Sequence, residues 1–200
     1  MEAKIFTKHP TTLTGKHIIL IPLEESQFDE ICSLGKEKII WKHSPIGVNG
    51  YDTSLHKKFL EDCISKRNTG EYYPFSIVLK ETKKIIGFTT YHSIKREYKN
   101  LEIGATWLHP RYWSKNLNTE CKYLMLEHCF ETLGLMRVQF RSNDNNLQSR
   151  KAIEKIGGIF EGIFRKDKIL EDGSIRNAAI YSIIDNEWEA VKKNLEALLS

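Results

Sequence analysis

Leu101-Glu-Ile-Gly-Ala-Thr-Trp-Leu108 and Trp113-Ser-Lys-Asn-Leu-Asn-Thr-Glu120 together decide the fold. The first is a short apolar run that sets Glu102 among apolar neighbours, and His109-Pro110 stops it, since proline has no amide to give to a sheet. The second leads into apolar residues at helical spacing: Cys121, Leu124, Met125, Cys129 and Leu133, a helix from Thr119 to Leu133. Beyond it Arg137-Val-Gln-Phe-Arg141 alternates as a strand, and a helix runs from Asn146 to Ile156 before Gly157-Gly158 closes it. The order is strand, polar turn, helix, strand, capped helix. Because the first amides of a helix lack partners and lie at the positive end of its dipole, the turn before Thr119 suits a phosphate.

Working outward, Lys16 to Leu23 reads as a first strand after a turn at Gly15, and Glu24 to Leu34 as a helix with Phe28, Ile31, Cys32 and Leu34 on one side. Trp41 to Tyr51, with Pro45, Gly47 and Gly50, is a loop in which Trp41 and Tyr51 pack the loop or wall a pocket. Leu55, Phe59, Leu60, Cys63 and Ile64 mark a second helix, from Thr53 or Ser54 to just before Gly70. Tyr73 to Leu79 and Ile85 to Ser93 form a hairpin around Lys80-Glu-Thr-Lys-Lys84, which Leu101 to Leu108 extends into a meander. Ile159 to Leu170 and Ser174 to Ile184 are a final hairpin turning at Glu171-Asp-Gly-Ser174, and Trp188, Val191, Leu195 and Leu198 mark a last amphipathic helix. Strands and helices do not alternate strictly, so a purely parallel doubly wound sheet fits poorly. The expected class is α/β of the α+β type, with a mixed, mostly antiparallel central sheet of about seven strands flanked by helices.

With 200 residues, 40% hydrophobic and no break in composition, the chain reads as one domain over 1–200, its core about 13–185 and its C-terminal helix about 186–199. Lys+Arg 30 against Asp+Glu 26 gives a net charge of +4, scattered in pairs such as Lys83-Lys84 and Lys192-Lys193 that suit a solvated face. No specific nucleic-acid partner is expected; steep salt dependence on generic DNA or RNA would say otherwise. Cys32, Cys63, Cys121 and Cys129 fall on expected helices without a C-x-x-C spacing, which favours reduced, buried thiols over disulfides or zinc. His109 and His128 have no second ligand at metal spacing. The first ten residues lack the apolar core of a signal peptide and no segment is suited to a bilayer, so a soluble, cytoplasmic protein without membrane partners is expected.

Three places resemble the GNAT acyltransferases, and most closely the branch containing the N-terminal acetyltransferases of ribosomal proteins: Glu102-Ile-Gly104, Trp113 to Glu120, and Asn146-Leu-Gln-Ser149 with Glu154-Lys-Ile-Gly157. The likeness runs from about Leu13 to about Asp185. It implies a sheet splayed at its middle, acetyl-coenzyme A as cosubstrate, and acetyl transfer to a small-molecule amine or a protein N-terminus by direct attack; association into a homodimer is compatible with it. Where the family's cofactor turn usually carries two glycines or other small residues spaced by one, this chain has Asn116 and Asn118, and asparagine tolerates the left-handed backbone that glycine supplies.

Acyl transfer to an amine needs a neutral amine, a stabilised oxyanion and a proton for the leaving thiolate. Glu102 is the expected base: a carboxylate among Leu101, Ile103 and Trp107 is desolvated, which raises its pKa toward neutrality. The alternative is a strand-edge Glu102 paired with a lysine, and the residues alone do not choose. Asn146 as N-cap and Ser149 at N3 have a structural explanation, to which the resemblance adds contact with the pantetheine arm by Asn146 and general acid catalysis by Ser149, since Ile153 stands where many relatives have a tyrosine. The resemblance also implies that the backbone of Trp107 and Leu108 bonds the pantetheine, and that the amides of Ser114, Lys115, Asn116, Leu117, Asn118 and Thr119 hold the pyrophosphate with charge from Lys115 or Arg111. Arg150 and Lys151 either reach the ribose phosphate or form a solvated helix face. No metal site is expected. A coenzyme A sensor without turnover is the alternative that keeps the fold.

Overall fold

The computed structural model describes residues 11–44, 50–170 and 172–200. Pro45, Gly47 and Glu171, which belong to the expected loop and hairpin turn, lie outside the described residues. In chain order the strands are β1 (Leu13–Thr14), β2 (Ile18–Pro22), β3 (Tyr73–Leu79), β4 (Ile85–Lys95), β5 (Asn100–Leu108), β6 (Arg137–Asn143), β7 (Ile159–Ile169) and β8 (Ile175–Ile184). They make one eight-stranded sheet in the order β1-β2-β3-β4-β5-β6-β8-β7, antiparallel at every pairing but β5 with β6. The two-residue β1 is the strand beyond the expected seven.

The helices are α1 (Phe28–Leu34), α2 (Thr53–Thr69), α3 (Leu117–Glu127), α4 (Leu147–Lys155) and α5 (Asp185–Leu199). Glu25–Gln27 form a 3₁₀ turn before α1, so the expected Glu24 to Leu34 helix starts tighter than an α-helix. Asp52 caps α2, accepting from the Leu55 amide at 2.9 Å, one residue before the expected Thr53 or Ser54. The helix expected to run through Leu133 is α-helical only to Glu127 and continues as a π turn over His128–Thr132.

Each face of the sheet buries a separate cluster. On one face Leu101, Ile103 and Leu108 of β5 pack with Leu117, Cys121 and Met125 of α3 and with Leu195 of α5. On the other, Phe88 packs with Ile31 of α1 and Leu60 of α2. Each leucine or isoleucine wholly removed from water here contributes about 1.5–3 kcal/mol relative to an exposed one.

The sheet forks between its only parallel neighbours among the described strands. β5 pairs with β6 through Asn100, Leu101 and Glu102 alone, opposite Arg137, Val138 and Gln139. Past that point β6 stays with β8 as far as Asn143, while β5 stays with β4. A bulge gives the physical reason. Trp107 faces Phe88 and Gly104 faces Thr90, so Ala105 and Thr106 both lie opposite Thr89, with Ala105 at φ +48°. An inserted residue bends and over-twists its strand, which turns the end of β5 away from β6.

Candidate active site

Glu102 is the last β5 residue paired with β6 and is 5% exposed. The alternation that sends Leu101 and Ile103 into the α3 core points its carboxylate to the opposite face. There Gln139 Nε2 donates to Oε2 at 2.9 Å, His92 Nε2 lies 3.5 Å from Oε1, and Arg141 Nε lies 3.7 Å from Oε2. The expected apolar surroundings are therefore replaced by a polar cluster, and the strand-edge pairing with a lysine does not occur. Burial pushes the His92 imidazole below its ordinary range, with the Glu102 carboxylate opposing that shift. Gly104 has a steric reason: a Cβ there would come within 2.3 Å of His92 Nε2, so only glycine lets the imidazole lie across β5. A cavity of about 250 Å³, lined by Ser93, Lys95, Asn100, Arg137 and Gln139, opens onto Glu102 on the paired side of the fork.

The turn into α3 is built from left-handed residues, though not the expected pair. Ser114 (φ +59°) and Asn116 (φ +57°) take that conformation, whereas Asn118 is already helical because α3 begins at Leu117. No side chain caps α3. Asn116 instead donates from Nδ2 to the Leu198 carbonyl at 3.3 Å and accepts from Lys155 Nζ at 3.0 Å, tying the turn to the ends of α5 and α4. The first amides of α3 thus keep their donors, with Arg111 and Lys115 exposed beside them and Asn118 Oδ1 buried without a partner. Since an amide oxygen and nitrogen exchange places by a flip, Asn118 offers a donor there as readily as an acceptor. That donor set suits a phosphorylated ligand. Leu117 and Thr119 have buried side chains, so only their backbone is available. Trp113 Nε1 donates to the Leu108 carbonyl at 2.8 Å, which uses one of the two lone pairs of an acceptor in the expected pantetheine pairing.

Asn146 caps α4 as expected, its Oδ1 accepting from the Ser149 amide at 3.1 Å. The Ser149 hydroxyl itself makes no hydrogen bond among the described residues. Ile153 is buried in the core facing α3. Arg150 is half-buried and donates from Nε to Tyr181 Oη at 2.8 Å and from Nη1 to the Asp144 carbonyl at 3.2 Å. Trp41, Tyr51, His56 and Trp107 gather into one aromatic cluster, Tyr51 Oη lying 3.0 Å from His56 Nδ1. Trp41 and Tyr51 therefore serve packing.

Two residues beside β5, one in the site and one on the opposite face of the strand, carry little or no signal in the sequence. His92 carried no signal, because its role depends on Glu102 and Gly104 of the neighbouring strand. Lys122 carried a faint one, a lysine amid the apolar Cys121, Leu124 and Met125. Its ammonium is buried under the β5 bulge and donates to Thr106 Oγ1 and, at 3.4 Å, to Thr89 Oγ1, while those hydroxyls share a 2.7 Å bond. Burial lowers the Lys122 pKa from 10.5 to about 8. The four cysteines are free and buried, no group of residues suited to a metal ion occurs, and no helix is long and apolar enough to cross a membrane, all among the described residues.

Residues 17–159 match a family model described as acetyltransferase (GNAT) domain. The chain is 24% identical over 177 residues to the uncharacterized N-acetyltransferase p20 of Bacillus licheniformis, covering 88% of this chain and 98% of that protein. To YdaF of Bacillus subtilis (strain 168), whose name carries the words ribosomal N-acetyltransferase, it is 29% identical over 108 residues, 54% of this chain and 58% of that one. The structure of Mycobacterium smegmatis RimJ in complex with CoA-disulfide shares the fold, with a TM-score of 0.81, 18% identity, and coverage of 94% of this chain and 95% of that one.

Proposed function

Because this chain belongs to the GNAT acetyltransferase family, whose members use acetyl-coenzyme A, we propose that it acetylates a primary amine, on a protein N-terminus or a small molecule, by direct attack in a ternary complex, as its likeness to the ribosomal-protein N-terminal acetyltransferases suggests. The observation that carries this reading is Glu102, a buried carboxylate held by Gln139 at the point where β5 and β6 part. Bound acetyl-coenzyme A supplies a thioester, whose acyl carbon accepts the amine and whose thiolate leaves.

In this reading Glu102 takes the proton of the attacking amine, directly or through one water, and Ser149 returns a proton on the leaving-group side. The amides of Ser114 through Thr119 bind the pyrophosphate, with Lys115 and Arg111 adding positive charge. Asn146 has its amide nitrogen left for the pantetheine arm, alongside the backbone of Trp107 and Leu108. One domain over 1–200 carries the whole reaction in the cytoplasm, where free cysteines are at home. A homodimer would cover the edge strand β7, which exposes Ile159, Phe160, Phe164 and Ile169. A monomer in light scattering would end that part of the reading.

The test is release of free thiol from acetyl-coenzyme A with a panel of amines and peptides, both substrates being varied. Intersecting double-reciprocal lines are expected. Parallel lines, or an acetylated enzyme isolated without acceptor, would replace direct attack by a covalent route. A second reading, a coenzyme A sensor, is favoured by the buried Ile153, which has no hydroxyl to give a proton to the leaving thiolate. Calorimetric binding of coenzyme A without turnover on any amine would select it.

A further inference from the structure

Five buried side-chain atoms lack a hydrogen-bond partner among the described residues, and three of them, Arg141 Nε, Asp167 Oδ2 and Arg176 Nε, belong to one cluster beside Glu102. The strand register explains the cluster. Arg141 follows Gln139 on the same face of β6, and it lies opposite Ile180 of β8, whose neighbours at alternate positions include Arg176. Arg141 Nη1 donates to Asp167 Oδ1 at 2.7 Å, and its guanidinium lies over the Phe164 ring at 5.6 Å, so it is clamped with its Nε left over. Arg176 makes no hydrogen bond or ion pair in the described structure, and the charges of Asp167, Arg141 and Glu102 all act on it.

Buried donors and acceptors left open cost stability unless something else meets them. Here the open groups are two guanidinium N–H donors and one carboxylate oxygen, and they adjoin the unpaired half of β6. A carboxylate accepts from both guanidiniums in the planar geometry that arginine favours, and an N–H of the same molecule donates to Asp167 Oδ2. Glu102 adjoins them, with Arg141 Nε 3.7 Å from its Oε2.

We infer that Arg141, Asp167 and Arg176 form an acceptor subsite that selects an amine bearing a carboxylate, held so that the amine reaches Glu102. This rests on the acetyl-transfer reading given above. Free acidic amino acids and peptides with an acidic residue at their start share that chemistry, and the experiment separates them.

Matched pairs decide it: glutamate against glutamine amide, and tripeptides beginning with Asp against the same beginning with Asn. For each, kcat/KM with acetyl-coenzyme A is measured, and equilibrium binding to the coenzyme A complex is measured by calorimetry. The acidic member of at least one pair should be preferred by tenfold or more in both readouts, and which pair shows it identifies the source. Arg176→Met should reduce the preference to about unity while coenzyme A still binds, which verifies the fold; Arg176→Lys, keeping charge without the fork, should restore part of it. Equal use of both members, binding of neither, or a preference that survives Arg176→Met would overturn the subsite. Should no amine be turned over, the acetyl-transfer reading fails separately, and the calorimetric preference still decides the subsite.

Discussion

Glu102 and Lys122 are buried charged residues on opposite faces of β5, and the fold meets their charges in different ways. Around Glu102 stand a donor amide from Gln139, an imidazole from His92 and the Arg141 guanidinium. Around Lys122 stand only the hydroxyls of Thr106 and Thr89, with no carboxylate at ion-pair distance among the described residues. Counter-charge offsets much of the cost of removing an ion from water, whereas two dipoles offset less, and for Lys122 the remainder appears as a depressed pKa. One face of the strand surrounds its charge with polar and charged partners, and the other leaves its lysine ready to give up a proton.

The largest effect expected is on stability. Lys122 falls from 10.5 to about 8 on folding, a difference of about 2.5 units or about 3 kcal/mol at 1.36 kcal/mol per unit. Its folded pKa lies below its unfolded one, so the penalty is fully present below pH 8 and fades as pH rises to 10.5, where the unfolded chain also loses the proton. Lys122→Met removes the charge and should raise Tm at pH 7, with the gap over wild type closing near pH 10; Thr89 and Thr106 keep each other as partners. Equal melting temperatures at pH 7 would mean that two hydroxyls suffice, and the contrast with Glu102 would vanish.

Glu102→Gln tests the other face. It should lower kcat by about 10²-fold, roughly 2.7 kcal/mol of barrier, and leave coenzyme A affinity nearly unchanged. A fully active variant would move the base to solvent and leave Glu102 as an anchor for Arg141.

Smaller effects are expected on the face that Lys122 shares with α4. Ser149→Ala should lower kcat by roughly tenfold, as loss of a proton donor that water partly replaces. It should hardly move Tm, because the cap bond goes to the Ser149 backbone amide and not to its hydroxyl. Unchanged kcat would remove the serine from the chemistry. Asn146→Ala loses that cap and should cost about 1 kcal/mol, which for a chain of this size lowers Tm by about 2–4 °C in a thermal scan.

The order of strands and helices, the Asn146 cap, the Gly157 stop at φ +93° and the reduced cysteines were all legible in the sequence. Each depends on residues within one turn or one strand of each other: apolar spacing, capping side chains, glycine where the backbone turns left-handed. The same locality located the polar turn before α3 but misplaced its second left-handed residue, since whether that falls at Ser114 or Asn118 depends on where α3 starts, and tertiary contacts from Leu198 and Lys155 to Asn116 help fix that point.

The sequence by itself determined a mixed sheet with a polar turn before a helix, Glu102 on its central strand, and Asn146 and Ser149 at a helix start. Only the tertiary structure decided what surrounds them. Gln139 and Arg141 reach Glu102 across the three parallel pairs of β5 and β6, and Asp167 and Arg176 join through β7 and β8. A lysine in an amphipathic helix reads as surface until a bulge in another strand closes over it. Such environments are sums over residues far apart in the chain, and pairing register and burial, which no local spacing encodes, determine which charges meet and which are left with a hydroxyl.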